Sequence, residues 1–117
     1  MSETNNAGLF AFAATPTYEA SVIVETPAQK GGTWEKTTFY AEFKRVEVDD
    51  YEQFLKRRPT EVLEEVLVGW RDLRGPDRRT MVEFTPEHKA AFLTVPQAVM
   101  ATFQKFVETQ GKGRVKN

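Results

Sequence analysis

The chain reads as an α+β protein: an N-terminal β-hairpin followed by a mainly α-helical C-terminal part. Two stretches of period-two alternation carry the hairpin. Tyr18, Ala20, Val22 and Val24 alternate with Glu19, Ser21 and Glu25, broken only by Ile23, and Phe39, Ala41 and Phe43 share one side of the second stretch. Pro27 and Gly31-Gly32 place a turn between them. Beyond Val48 the apolar spacing changes to three and four residues, the period of a helix.

A length of 117 residues suits one domain. The expected division is a flexible N-terminal arm over 1–16, a single α+β domain over 17–110 and a flexible basic tail over 111–117. In the arm, Leu9-Phe10-Ala11-Phe12-Ala13-Ala14 is apolar without a helical stripe. It can pack loosely on its own domain or add to the sheet of a neighbouring copy. The second strand, from Trp34 to Phe43, carries Trp34, Lys36, Thr38, Tyr40 and Glu42 on the side opposite its aromatic face. A lone hairpin is marginal in water, so this one must lean on helices, a third strand or another copy.

The helices follow in order. Asp49 or Asp50 can cap the first, with Gln53 placed for a capping box from Asp50. Arg58-Pro59 ends it, and Pro59 suits the first turn of the next. Val62, Leu63, Val66 and Leu67 form an apolar face there, Glu61, Glu64 and Glu65 the wet one, and Gly69 reads as the helix stop. A polar loop with the turn Gly75-Pro76-Asp77 follows. Thr85-Pro86-Glu87 is a strong helix start: a hydroxyl cap, proline at the first helical position, then an acid near the positive end of the dipole. Pro96 restarts the helix, Val99, Met100, Phe103, Phe106 and Val107 give its stripe, and Gly111 closes it. Trp70, Phe84, Leu93, Val99 and Phe103 are the expected core of this half.

Little in the chain points to a reaction. There is no cysteine, and the formal net charge is −1. Disulfides, thiolate metal sites and cysteine nucleophiles are excluded, and a nucleic-acid binder would carry a basic excess. Ser2 and Ser21 are the only serines, and His88 is the only histidine. No phosphate-binding glycine loop, catalytic dyad or metal-ligand spacing is present. No secretory signal or span of about 20 apolar residues is expected. Arg71, Arg74, Arg78 and Arg79 form a basic patch diluted by Asp72 and Asp77, which would suit an acidic protein surface. With aromatics at 12% and no active site, rings are expected to be buried within or between subunits. Leu9, Phe10, Phe12, Trp34 and Tyr40 are the candidate contacts between copies.

From Val66 to Val107 the order of elements resembles the tail assembly chaperones of long non-contractile-tailed, lambda-like bacteriophages. The residues that carry the likeness are VLVGW at Val66 to Trp70, a charged loop, Val82-Glu83-Phe84-Thr85-Pro86-Glu87, Phe92-Leu93, and Val95-Pro96 leading into a Phe-bearing helix. Gly69, Trp70, Phe84, Thr85, Pro86 and Pro96 are its motif positions. The chain departs from the pattern where His88 replaces a frequent Asn and Gln97 a frequent Gly. The resemblance implies a non-enzymatic factor of the host cytoplasm, without cofactor or metal and absent from the finished virion. Its implied partners are the tape measure protein, the tail tube protein, further copies of itself and a longer frameshifted form, with no nucleic acid and no membrane. Gly111-Lys112 is a dipeptide that a slippery codon pair would encode. The alternative is a structural head–tail connector or tail terminator.

Overall fold

The computed structural model describes residues 9–111. The first eight residues of the expected arm, the expected tail from Lys112 onward and the second half of Gly111-Lys112 lie outside them. Over the described residues the protein is α+β, a three-stranded antiparallel sheet with four α-helices.

Strand β1 (Thr17–Pro27) pairs along its whole length with β2 (Trp34–Lys44), from Thr17 opposite Lys44 to Pro27 opposite Trp34. The alternation sets the faces. Val22 opposes Phe39, Ala20 opposes Ala41 and Tyr18 opposes Phe43, all on the packed side. Glu19, Ser21, Ile23 and Glu25 on β1, and Trp34, Lys36 and Thr38 on β2, lie exposed on the other. Tyr40 sits half-buried on that bare face, capped by the Arg71 guanidinium at 4.1 Å from its ring.

Helix α1 (Val48–Phe54) and helix α2 (Pro59–Val66) follow. The capping box expected from Asp50 does not form. The helix begins earlier, its N-cap is Glu47 without a side-chain bond, and Asp49 and Asp50 fall inside the first turn. There they still favour the positive end of the helix dipole.

The largest correction is at the end of α2. The helix does not run to Gly69 but stops at Val66, and the chain passes directly into strand β3 (Leu67–Arg71). The helices are therefore interspersed with the sheet and do not all follow the hairpin. The physical reason is the free edge of β2, which offers backbone partners to a short apolar run that fits a pleated surface. Tyr40 pairs with Arg71, Ala41 with Trp70, Glu42 with Gly69 and Phe43 with Leu67, so Val68 is the extra residue of a bulge. Gly69 has a reason other than ending a helix. The Glu42 side chain lies over it and accepts from Thr17 Oγ1 at 2.8 Å, and a Cβ at Gly69 would stand 2.6 Å from Glu42 Oε1.

Helix α3 (Pro86–Phe92) and helix α4 (Pro96–Gln110) complete the fold. Thr85 caps α3 as expected, accepting from the His88 amide at 3.0 Å. Helix α4 lies across β1 and beside α2. Its inward face is Ala98, Val99, Thr102 and Phe106. Met100, expected in the stripe, is 55% exposed. Of the expected core residues Val99 is buried, while Trp70, Phe84, Leu93 and Phe103 are half-buried and pack against the core from its margin. Among the described residues no helix is long and apolar enough to cross a membrane.

One core group is out of place. The Thr102 hydroxyl is fully buried and has no hydrogen-bond partner among the described residues. Thr102→Val keeps the shape and removes the orphaned group. It is expected to stabilise the fold by about 1 kcal/mol, read as a higher urea midpoint. A lower midpoint would show that the hydroxyl has a partner worth keeping.

Candidate functional site

The residues between β3 and α3 build an open groove beside Trp70. Asp72, at φ 63°, turns the chain out of β3. A short antiparallel ladder then forms: the Val82 amide donates to Leu73 O at 2.7 Å, the Gly75 amide to Thr80 O at 2.8 Å, and Arg74 bridges to Met81. Asp77 locks its turn. One carboxylate oxygen accepts from the Arg79 and Thr80 amides at 2.9 and 2.8 Å, the other from Thr80 Oγ1 at 2.6 Å. The Thr80 hydroxyl and these amides hold its pKa down at about 2. Within that turn Arg78 takes the left-handed φ of 62°.

Trp70 is the post on which the groove leans. Its Nε1 donates to Val82 O at 2.7 Å, which ties the ladder to the sheet. Phe84 meets the indole edge-on at 4.8 Å between centroids, and Phe92 lies against it at 5.1 Å. Lys89 holds α3 to the end of α2 by donating to Glu64 O at 2.7 Å, and partial burial lowers its pKa. His88 Nδ1 donates to Glu83 O at 2.6 Å, a local brace at the start of α3.

The groove has a volume of about 990 Å³ and opens between this ladder and the Glu35–Thr38 stretch of β2. Strand β3 pairs with β2 only from Tyr40 onward, so it leaves that edge uncovered. Trp70, Leu73, Val82 and Phe92 make an apolar floor, and Lys36, Arg74 and Arg78 stand at the rim. Arg78 is paired with Glu35 at 3.2 Å, and Lys36 stands 3.8 Å from Glu25. Arg74 is exposed and has no ion-pair partner among the described residues. Such a surface can take an apolar side chain flanked by negative charge. Among the described residues no group of three or more His, Asp or Glu side chains is placed to hold a metal ion.

The motif positions mostly converge here. Trp70 and Phe84 touch, Thr85 and Pro86 start the helix that carries Phe92, and Gly69 lets β3 pass under Glu42. Pro96 stands apart at the first turn of α4. The candidate oligomer contacts divide. Leu9, Phe10 and Phe12 are 68%, 47% and 79% exposed before β1, with Phe10 and Phe12 stacked at 5.1 Å. Trp34 is 62% exposed at the hairpin tip, and Tyr40 is on the bare face. The basic patch also divides, because Arg71 turns to Glu19 at 2.9 Å. Lys36 and Leu73 belong to the groove with no local sequence signal to mark them.

No family model, curated protein or solved structure matches this chain.

Proposed function

We propose that the chain is a tail assembly chaperone of a long non-contractile-tailed bacteriophage. It acts in the host cytoplasm, binds the tape measure protein, helps bring tail tube subunits to it, and leaves before the virion is complete. The supporting observation is that residues carrying the family resemblance form one unit: Trp70, Val82 and Phe92 line an open apolar groove, and Phe84 packs edge-on against the Trp70 indole. That unit is shaped for a protein side chain and has no convergent set of reacting groups, so the chain is proposed to bind and not to catalyse.

The physical task suits such a surface. A long helical protein with apolar faces aggregates until the tail tube encloses it. A coat that must later leave needs many modest contacts, and repeating them along one target raises avidity without a tight pocket. Co-expression provides the test. The tape measure protein encoded with this chain should stay soluble in its presence and precipitate without it, and purified virions should lack the chain by mass spectrometry. A tape measure protein equally insoluble either way would overturn the reading. Retention in virions would favour a head–tail connector or tail terminator.

A further inference from the structure

We infer that the groove receives an extended segment of a partner protein as a further strand on the free edge of β2, in line with β3. The inference rests on the binding groove proposed above and names the form of its occupant: extended backbone with an apolar side chain at every second residue.

The pairing register shows which backbone groups are free. The Ala28 amide donates to Thr33 O at 3.0 Å at the hairpin turn, and the Arg45 amide donates to Pro16 O at 2.9 Å at the other end. Bonded and non-bonded pairs alternate along an antiparallel ladder. On β2 the odd-numbered residues therefore turn their N–H and C=O toward β1, and the even-numbered ones turn theirs to the outer edge. There Tyr40 and Glu42 meet Arg71 and Gly69 of β3. Asp72 then carries the chain away from the sheet. Trp34, Lys36 and Thr38 are left with outward N–H and C=O groups that have no backbone partner among the described residues. The stretch from Glu35 to Thr38 is one wall of the groove.

Those groups select the occupant. A row of donors and acceptors at every second residue is matched by extended backbone, whereas a helix has already bonded its own groups internally. The β2–β3 pairing is this same contact, and an added strand continues it. The pleat then sets the side chains. Those opposite Glu35 and Thr37 fall on the packed side, over Trp70, Leu73 and Phe92, and the one opposite Lys36 falls on the bare face. Lys36 does not guard the edge, because its ammonium is held toward β1, 3.8 Å from Glu25. Arg78 crosses the mouth to Glu35 at 3.2 Å, but both side chains are more than half exposed and such a pair parts easily in water. The outer edge of β1 differs. Pro27 has no N–H to offer there, and Glu19 and Glu25 stand along it.

Amide hydrogen exchange on the purified full chain tests this. In the free chain the Lys36 and Thr38 amides should exchange about tenfold or more faster than those of Thr37 and Phe39. The probe is a capped synthetic peptide alternating Thr and Val. At saturation it should slow the Lys36 and Thr38 amides about tenfold or more and leave the outward Ile23 amide of β1 unchanged. Lys36→Pro deletes one outward donor and no bond to β1, so it should weaken the peptide about tenfold or more. Lys36→Ala keeps the donor and should bind as the wild type does. Circular dichroism checks the fold of both. If Lys36→Pro does not fold, the peptide N-methylated at the residues facing β2 makes the same test on the wild type and should bind about tenfold or more weakly. An edge already filled in the free chain, by its own arm or by a second copy, would show as slow Lys36 and Thr38 amides before peptide is added and would overturn the inference. So would a peptide that does not bind, or one indifferent to both the proline and the N-methyl groups, which would make the groove a pocket for side chains alone. No tape measure protein is present in these experiments, so their failure leaves the chaperone reading to its own solubility test.

Discussion

Trp70→Ala is expected to cost about 3 kcal/mol, the low end for removing a packed tryptophan, because the ring is half-buried. A second loss is included in that figure: the indole N–H that holds Val82 O at 2.7 Å disappears, and with it the tie between the ladder and the sheet. Phe84 and Phe92 each lose the ring they pack against. For a single small domain such a loss is a large share of the total stability. Trp70→Phe separates the components, since it keeps much of the packing and gives up the hydrogen bond, worth about 1 kcal/mol. Trp34→Ala serves as the control. That ring is 62% exposed, and its removal should move stability by less than about 0.5 kcal/mol. Urea midpoints for the three variants decide the matter. An unchanged midpoint in Trp70→Ala would mean that the indole contributes no packing and is held for a partner.

The hairpin could be read from the chain because its alternation is strict where it matters. Phe39, Ala41 and Phe43 were placed on one side by period alone, and all three are fully buried. Helix starts were equally legible, since proline fixes φ and lacks an N–H. Pro59, Pro86 and Pro96 each stand in the first turn of a helix. Strand β3 was not legible. Val62, Leu63, Val66 and Leu67 continue one helical face on paper, and a run of five residues is too short for period to separate strand from helix. What decides it is the open edge of β2, a tertiary fact that no local window contains. The groove divides in the same way. Trp70 and Phe84 are marked by their neighbours in sequence, whereas Lys36 reaches the rim only because the hairpin folds back beside the ladder.

Phe106→Ala should have the largest effect of any single change, about 3–5 kcal/mol, and should unfold a domain of ordinary stability at moderate temperature. Phe106 is fully buried and is where separate parts of the chain meet. Its ring contacts Phe43 of the hairpin edge-on at 5.5 Å, Tyr51 and Phe54 of α1 each at 6.3 Å, and Phe103 of its own helix at 6.5 Å. Truncation would leave a cavity bordered by the sheet, α1 and α4 together, so no single neighbour can move to fill it. Phe106→Leu, which keeps more of the volume, should cost about 1 kcal/mol. Helix α1 is anchored through Tyr51 and Phe54 to Phe106. Loss of that anchor should release α1 before the hairpin itself melts. Hydrogen exchange would show this as α1 amides losing protection first in Phe106→Ala and staying protected in Phe106→Leu. Uniform loss across hairpin and helices would mean instead that α1 is no separable unit and that the whole fold stands or falls on one ring.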